Sequence, residues 1–239
     1  MQMKLLATVA AAAVSLGMAT VASATVVYTA PVTLLFGPNQ TDFSQNLSFA
    51  QYNPADHDGH ALNSVHIDLS GTAFADATTI NCVTGDGNGI CQGSFSSQIL
   101  MQLSAPGPTN LLATLPLNTF PYLLNQGDSI VVPAQSNTDN DSIEYCAAFE
   151  PNCTNFNAAI VALFSGVGNI LLTLNADGST NLNQQTGGAF QFPNPSLTGD
   201  GSATIYYDYV VQDTVPEPMT LGILGLGLAG LGLARRRRS

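Results

Sequence analysis

The side chains in this sequence that are best suited to metal chemistry form one short cluster of carboxylates and imidazoles. The cluster consists of Asp56, His57, Asp58 and His60, with His66 nearby. Zn²⁺ binds imidazole nitrogens and carboxylate oxygens, Ca²⁺ binds oxygens, and one loop can turn several such groups toward a single point. The cluster also follows Asn53-Pro54, where Asp and Gly are typical of a solvated turn. The sequence favours the turn, and a bound metal is the alternative.

Two other segments have oxygen-bearing side chains at alternate positions, as in half of a calcium-binding loop. One contains Asp86 and Asn88, and the other contains Asp139 and Asp141. Counted from Asp86 and from Asn137, where the two segments begin, neither has the central Gly at the sixth position or the bidentate Glu at the twelfth that an EF-hand requires. We therefore expect plain polar loops and no cofactor, with Ca²⁺ at these four residues as the open alternative.

The sequence gives poor signals for catalysis. The segment Ser165-Gly166-Val167-Gly168 does not match G-x-S-x-G, and all three histidines precede residue 70 without a nucleophile signature. Glu144 and Glu150 are acids that a glycoside hydrolase could use, but sequence cannot give the separation of two carboxylates. We expect that the protein is not an enzyme.

Aromatic residues near the end of the body could stack on sugar rings. They are Phe190, Phe192, Tyr206, Tyr207 and Tyr209. Aromatic residues of strands more often fill a hydrophobic core, so carbohydrate binding is the less favoured reading.

Charge is distributed very unevenly along the chain. The five basic residues are Lys4 and Arg235 to Arg238, so residues 25–214 contain neither Lys nor Arg. The 16 acidic residues less Glu217 give this segment a formal charge near −15. Such a surface repels phosphates and anionic lipids and suits a cation-rich extracellular medium. The charge therefore argues against nucleic-acid binding.

The composition of the body favours strands, because Thr, Val, Ser, Asn and Gly abound whereas Lys, Glu and Arg are nearly absent. Alternating runs between turn residues predict nine strands, over residues 26–36, 43–51, 62–69, 94–103, 110–115, 129–132, 158–164, 170–174 and 203–211. Asp177-Gly178 is the strongest hairpin-turn signal, and Gly37-Pro38-Asn39 is a predicted breaker. We predict one all-β domain over residues 25–211, an antiparallel β-sandwich of jelly-roll or immunoglobulin-like type.

The N-terminus has the three parts of a secretory signal peptide over residues 1–24. Lys4 supplies the charged region, residues 5–21 the apolar region, and Ala22-Ser23-Ala24 the small-residue cleavage site. The mature chain is therefore expected to begin at Thr25, after passage through the Sec translocon and cleavage by signal peptidase. An N-terminal membrane anchor is the alternative.

The C-terminus has three ordered parts. A linker over residues 212–218 ends in Val215-Pro216-Glu217-Pro218, an uncharged apolar run covers residues 219–234, and the tail over residues 235–239 contains Arg235, Arg236, Arg237 and Arg238. As a helix, the apolar run would be roughly 24 Å long, just enough to cross a bilayer. The arginines would stay in the cytoplasm and leave the body outside. We therefore predict a single transmembrane helix.

These three parts, at this spacing, resemble the PEP-CTERM signal of Gram-negative bacteria, which the membrane protease-transpeptidase exosortase recognises. The resemblance covers about the last 25 residues. It implies that Pro216, Glu217 and Pro218 are the recognition element and that the helix and the arginine tail are removed. The two prolines also hold Glu217 in extended backbone that an enzyme can bind. A plain tail anchor after an ordinary linker is the alternative.

Four cysteines form two pairs that are close in sequence, Cys82 with Cys91 and Cys146 with Cys153. In an exported protein this pattern favours disulfides, for which three connectivities exist. We predict the two local bridges, each stabilising a loop by roughly 2–3 kcal/mol on the chain-entropy estimate. The rival is a four-thiolate zinc site, which needs a shorter spacing of cysteines.

The body resembles the choice-of-anchor E domain in its opening and closing segments. The matching segments are Phe43-Ser44-Gln45-Asn46-Leu47, Gln51-Tyr52-Asn53-Pro54, the run from Leu62 to Gly71, and the run from Ala203 to Tyr209. The resemblance implies an exported, β-rich module ahead of a surface anchor, with no assigned catalytic residues. The two cysteine loops and the segment from Asp56 to His60 depart from that pattern.

The sequence thus predicts an exported, exosortase-sorted protein with a structural or adhesive role in the polysaccharide or biofilm layer. It would pass through an inner-membrane-tethered intermediate to the cell surface or extracellular matrix of a Gram-negative bacterium. The alternatives are a carbohydrate- or Ca²⁺-binding surface module and, less favoured, a secreted hydrolase. The expected partners are an exosortase-type enzyme, the Sec translocon, signal peptidase, the membrane and extracellular polysaccharide.

Overall fold

The computed structural model describes residues 24–212, except for 85, 108, 149–152, 154, 186–187 and 194. The sorting motif, the predicted transmembrane helix, the arginine tail and residues 1–23 of the predicted signal peptide lie outside the described residues. Residues Val26–Val210 form one compact unit, to which the features below belong. Among the described residues, no helix is both long enough and apolar enough to cross a bilayer.

Strands make up most of the described chain. They are β1 (Ala24–Tyr28), β2 (Val32–Gln40), β3 (Phe43–Ala50), β4 (Leu62–Ala75), β5 (Thr78–Thr84), β6 (Ile90–Ser104), β7 (Leu111–Pro116), β8 (Phe120–Asn125), β9 (Ser129–Val132), β10 (Gln135–Cys146), β11 (Asn169–Gln184), β12 (Ala189–Gln191) and β13 (Leu197–Gln212). A 3-10 helix covers Pro54–His57, and the helix α1 covers Ala158–Leu163.

The strands form two five-stranded sheets and one small sheet. The first sheet has the order β1-β13-β4-β10, with β2 also paired to β13, and the second has the order β3-β11-β6-β7, with β8 also paired to β6. The small sheet has the order β12-β5-β9. Neighbouring strands run antiparallel, as in the pairs of β4 with β10 and of β4 with β13. The predicted all-β, antiparallel class is confirmed.

The alternation of side chains along β4 decides which face of the first sheet is buried. Val65, Ile67 and Leu69 are fully buried in the main core, whereas His66 and Asp68 leave the sheet on its opposite face. Alternate residues of β6, β7 and β11 in the second sheet enter the same core. The two sheets therefore enclose one hydrophobic layer in a sandwich-like arrangement.

Both disulfides of the structure are local. Cys82 pairs with Cys91, and Cys146 pairs with Cys153. The first bridge joins β5 to β6 inside a second, smaller core cluster that also contains Ile80. These are the two pairings that the sequence favours.

The segment over residues 158–164 is not the strand that the sequence predicted, because it forms α1. Asn157 caps this helix, its side-chain oxygen accepting a hydrogen bond of 3.1 Å from the amide of Ile160. Ile160, Val161 and Phe164 are buried, which is the spacing of one helical face. A short apolar run is compatible with both the strand period and the helix period, and packing against the core favours the helix here.

Asp177-Gly178 is not a hairpin turn, because both residues lie inside the continuous strand β11. Asp177 is opposite Leu100 of β6, and Gly178 is opposite Ile99. A Cβ at Gly178 would lie 2.4 Å from the hydroxyl oxygen of Thr41, so this glycine serves close approach of the chain rather than a turn. Gly37-Pro38-Asn39 likewise lies within β2, an edge strand, where proline is tolerated.

Candidate functional site

Three neighbouring strands of the first sheet bring His66, Glu144 and Asp208 together on its outer face. Glu144 of β10 and Tyr206 of β13 lie directly opposite His66 of β4, and Asp208 lies opposite Ser64. Since Val65, Ile67 and Leu69 of β4 enter the core, Ser64 and His66 lie on the other face, where Ser64 is covered by its neighbours. The positions of these side chains are therefore fixed by the strand register.

The polar atoms of this group converge on the Nε2 nitrogen of His66. That nitrogen is 3.2 Å from Asp208 Oδ2, 3.7 Å from Glu144 Oε1 and 3.2 Å from Ser64 Oγ. The Ser64 hydroxyl also donates a hydrogen bond to Asp208 Oδ2. Within the described part of the chain, His66, Glu144 and Asp208 are the one set of three such side chains whose ligand atoms all lie within 4.8 Å of one another.

Asp208 is a buried carboxylate, with 4% of its surface exposed, in a body that contains no Lys or Arg. Burial raises the pKa of Asp208, but hydrogen bonds from His66, Ser64 and Asn63, together with the charge of the imidazole, outweigh it and hold the pKa below its ordinary value. The side-chain amide of Asn63 donates a hydrogen bond to Asp208 Oδ1 at 2.9 Å. Asp208 is therefore ionised at neutral pH.

Aromatic rings and a shallow depression lie next to this group. The ring of Tyr206 stacks on that of His66 with centroids 4.4 Å apart, and the ring of Tyr28, which is 60% exposed, lies 5.9 Å from His66. The depression has a volume of about 360 Å³, and its lining includes His66, Asp68, Ser142, Glu144, Asn155 and Tyr206. A second depression of about 530 Å³ shares Asp68 and Ser142 with the first. The site is thus open to ligands on the outer face.

Ser64, His66 and Asp208 include the three residue types of a hydrolytic triad, but their geometry differs from one. In a triad the histidine contacts the nucleophile with one ring nitrogen and the acid with the other, whereas here both contact Nε2. Ser64 is only 1% exposed, and its hydroxyl donates a hydrogen bond directly to Asp208. This arrangement fits binding better than nucleophilic attack.

The cluster predicted from sequence at Asp56 to His60 does not converge in this way. The Asp56 carboxylate accepts a hydrogen bond from the side-chain amide of Asn53, at the start of the 3-10 helix. The ring of His57 stacks on that of Tyr52 with centroids 4.6 Å apart. His60 stacks on Tyr209. Both imidazoles pack against aromatic rings, and His66 belongs to the separate group on the outer face.

The first calcium candidate is a tight turn. Asp86 accepts hydrogen bonds from the backbone amides of Asn88 and Ile90 at 2.8 and 3.1 Å. Such a bond to the amide two residues on is the usual role of Asp in turns. Calcium binding at Asp86 and Asn88 stays a prediction.

The second calcium candidate is not a loop, because Asp139 and Asp141 lie inside β10. Asp141 Oδ2 accepts from the amide of Leu112 at 2.8 Å, and Asp139 Oδ2 accepts from the amide of Thr114 at 2.9 Å. Asn137 donates to the carbonyl of Pro116 at 2.8 Å. These three side chains join β10, at the edge of the first sheet, to β7, at the edge of the second. We call them the β10–β7 seam, and calcium binding there stays a prediction.

The aromatic residues that were predicted to stack on sugars separate into different places. Tyr207 is 6% exposed in the main core and donates to the carbonyl of Ala50 at 2.7 Å. Phe190 and Phe192 pack against the smaller core cluster. Of this set, Tyr206 lies beside Ser64, His66, Glu144 and Asp208, which we call the His66 group. Tyr28, which also lies beside the group, was not singled out from the sequence.

Ser64, Glu144 and Asp208 were not predicted as partners of His66. Glu144 and Asp208 are far from His66 in the sequence, and no local motif links the four residues. Alternation predicted strands over residues 62–69 and 203–211. It could not show that β4 and β13 are adjacent.

The end of the chain matches a known family of targeting signals, the PEP-CTERM protein-sorting motif, over residues 214–238. The chain carries a PEP-CTERM sorting motif. The motif indicates an exported protein that exosortase processes, through a membrane-anchored intermediate that precedes release to the cell surface. The match does not cover the body of the chain.

No curated protein matches the chain. Among solved structures, matches include one titled as the infectious bursal disease virus Gx strain, at 12% identity over 86% of this chain and 49% of that chain, with a TM-score of 0.12. Another is a VP2 subviral particle of infectious bursal disease virus, at 10% identity over 86% and 48% of the two chains, with a TM-score of 0.13. This chain spans about half the length of these viral chains, and such TM-scores support no inference.

Proposed function

We propose that the protein is a non-catalytic component of the cell-surface polysaccharide or biofilm layer, with a structural or adhesive role. The observation that carries this proposal is the sorting motif at residues 214–238, which follows an acidic, disulfide-bonded β body. A body without Lys or Arg offers no target for trypsin-like proteases and no attraction for anionic membranes. These properties suit long residence outside the cell.

As part of the same proposal, we assign the body to the choice-of-anchor E class and to a jelly-roll or immunoglobulin-like sandwich. Three of the four segments that resemble that class fall on β3, β4 and β13, and the fourth, residues 51–54, follows β3. These strands supply Leu47, Val65, Ile67, Ala203 and Ile205 to the main core. These core positions build the fold, whereas His66 and Asp208 lie at alternate positions of β4 and β13 on the outer face.

Deletion of the gene in the native host tests the surface role. We expect the deletion to reduce cell aggregation and surface-attached biomass, and the full-length gene to restore both. A gene encoding E217A should fail to restore them, with the protein held back in the membrane fraction. Unchanged aggregation and biomass in the deletion strain, together with release of the protein into the medium by the undeleted strain, would contradict the proposal.

A second candidate function, carbohydrate binding, is supported by the depression beside His66. Tyr28 and Tyr206 offer ring faces for stacking, and Asp68 and Glu144 offer acceptors for sugar hydroxyl groups. Since the body has no Lys or Arg, the expected ligand is a neutral rather than an anionic glycan.

Affinity electrophoresis of the full chain through neutral and sulfated polysaccharides tests this candidate. We expect retardation by a neutral polysaccharide and its loss in Y28A. The matched control is L123A, which removes a similarly exposed apolar side chain from β8 of the second sheet. Equal retardation of Y28A and the unaltered chain would exclude this face as the binding surface.

A further inference from the structure

We propose that His66, Glu144 and Asp208 bind one divalent transition-metal ion of the Zn²⁺ type. Nothing about the sorting motif or the surface role predicts this site, and it does not depend on either. It rests on the geometry, burial and charge of the group on the outer face of the first sheet.

The spacing of the ligand atoms suits a small tetrahedral ion. Zn²⁺ takes nitrogen and oxygen ligands at about 2.0–2.2 Å, which puts neighbouring ligand atoms roughly 3.3 Å apart. The distances from His66 Nε2 are 3.2 Å to Asp208 Oδ2 and 3.7 Å to Glu144 Oε1. A small rotation of the Glu144 side chain, which is 32% exposed, completes three ligands.

A protonated His66 accounts for this arrangement less well than a metal ion does. An imidazolium presents a single N–H at Nε2, and that hydrogen can point at only one acceptor. Here Nε2 faces oxygens of Asp208, Glu144 and Ser64. A bound cation would interact with both carboxylates at once, and the body has no Lys or Arg that could do so.

The surroundings resemble the outer shell of a metal site. The Asn63 amide binds Asp208 Oδ1 and so directs Oδ2 toward His66. The stacked ring of Tyr206, tilted by only 2°, holds the imidazole plane. All three ligands lie on strands whose register the sheet fixes.

The choice of metal follows from the ligand set. Ca²⁺ and Mg²⁺ prefer six or more oxygen ligands, whereas an imidazole nitrogen with two carboxylates suits Zn²⁺ and its first-row neighbours. Three protein ligands leave a fourth position, which would face the depression on the outer surface. Water or a ligand oxygen would take that position.

Calorimetric titration of the full chain tests the proposal. The protein is purified in detergent with its disulfides intact, treated with a chelator and titrated with ZnCl₂ in the presence of excess MgCl₂. We expect one Zn²⁺ per chain with a dissociation constant in the micromolar range or below. At free zinc 100 times the dissociation constant, the melting temperature should rise by about 5–10 °C.

Two substitutions assign the binding to this group. H66Q and E144Q should each weaken zinc binding by about 100-fold or more, an effect at least as large as that of losing an outer-shell partner. H60Q is the matched control, because His60 stacks on Tyr209 away from the group. Glu144 is partly exposed, so E144Q is expected to fold even if H66Q does not.

The outcomes separate clearly. Loss of zinc binding in E144Q and its retention in H60Q support the site. No zinc binding to the unaltered chain, equal binding in E144Q, or tighter binding of Ca²⁺ than of Zn²⁺ would each overturn it.

Discussion

The β10–β7 seam and the His66 group show two ways in which a body without Lys or Arg accommodates carboxylates. In the seam, Asp139 and Asp141 accept hydrogen bonds from backbone amides of β7. In the His66 group, Asp208 is held by the side chains of His66, Ser64 and Asn63. Backbone partners belong to the fold, so the seam closes the edge of the sandwich. Side chains that converge from three strands leave lone pairs directed at one point, which is a binding arrangement.

The largest effect should come from D208A. This change removes the carboxylate that accepts hydrogen bonds from the buried Ser64 hydroxyl and the Asn63 side-chain amide, and we expect the free energy of unfolding to fall by about 2–4 kcal/mol. Urea denaturation of the full chain measures it. D208N, which keeps the size and one acceptor oxygen, should cost less, and equal losses in the two variants would mean that packing rather than polar contact holds Asp208.

The next largest effect should come from the seam. Replacing both Asp139 and Asp141 by Ala removes two acceptors from amides at an exposed strand edge, and we expect a loss of about 2 kcal/mol in total. Replacement of both by Asn keeps an acceptor oxygen and is the control. The double Ala variant should bind zinc with unchanged affinity, because neither aspartate is one of the proposed zinc ligands. Loss of zinc binding in calorimetry of this variant would show that the two regions depend on each other.

A smaller effect is expected from acid. The pKa of Asp208 is lower in the folded than in the unfolded chain, so its stabilising contribution is present above the unfolded value of about 3.9 and is lost as pH falls through the folded value. Melting temperatures between pH 6 and pH 2 should fall less steeply for D208N than for the unaltered chain. Parallel curves would contradict the direction of this shift.

The smallest effect on stability is expected from E144Q. Glu144 is partly exposed and lies 3.7 Å from His66 Nε2, beyond hydrogen-bond distance, so the free energy of unfolding should change by less than about 0.5 kcal/mol. Its loss of zinc binding should nevertheless be large. A strongly destabilised E144Q, measured by urea denaturation, would show that this residue belongs to the fold.

The sequence predicted the β class well because alternation is a local signal. In β4 and β13 the alternating residues were recognised, and both strands lie where expected. The sequence analysis missed β10 because its first eight residues are polar on both faces. Its inward-facing side chains are polar because Asp139 and Asp141 accept hydrogen bonds from β7 in the seam. No local pattern shows that a carboxylate will meet the amides of a strand some 25 residues away.

The candidate site was half visible in the sequence. His66 was noticed, but it was grouped with Asp56, His57 and His60 because they are close in sequence. Its partners in the structure come from β10 and β13, and which strands lie next to β4 depends on the packing of the whole sandwich. The cysteine pairs were easier to predict, because both bridges close short loops.

The most direct test of the separation between the seam and the His66 group is a crystal structure of the protein with ZnCl₂, read by anomalous scattering at the zinc edge. We expect one strong peak between His66 Nε2, Glu144 and Asp208, at about 2.0–2.2 Å from each ligand atom. A peak at Asp139 and Asp141 instead, or an empty His66 group in zinc-soaked crystals, would contradict it.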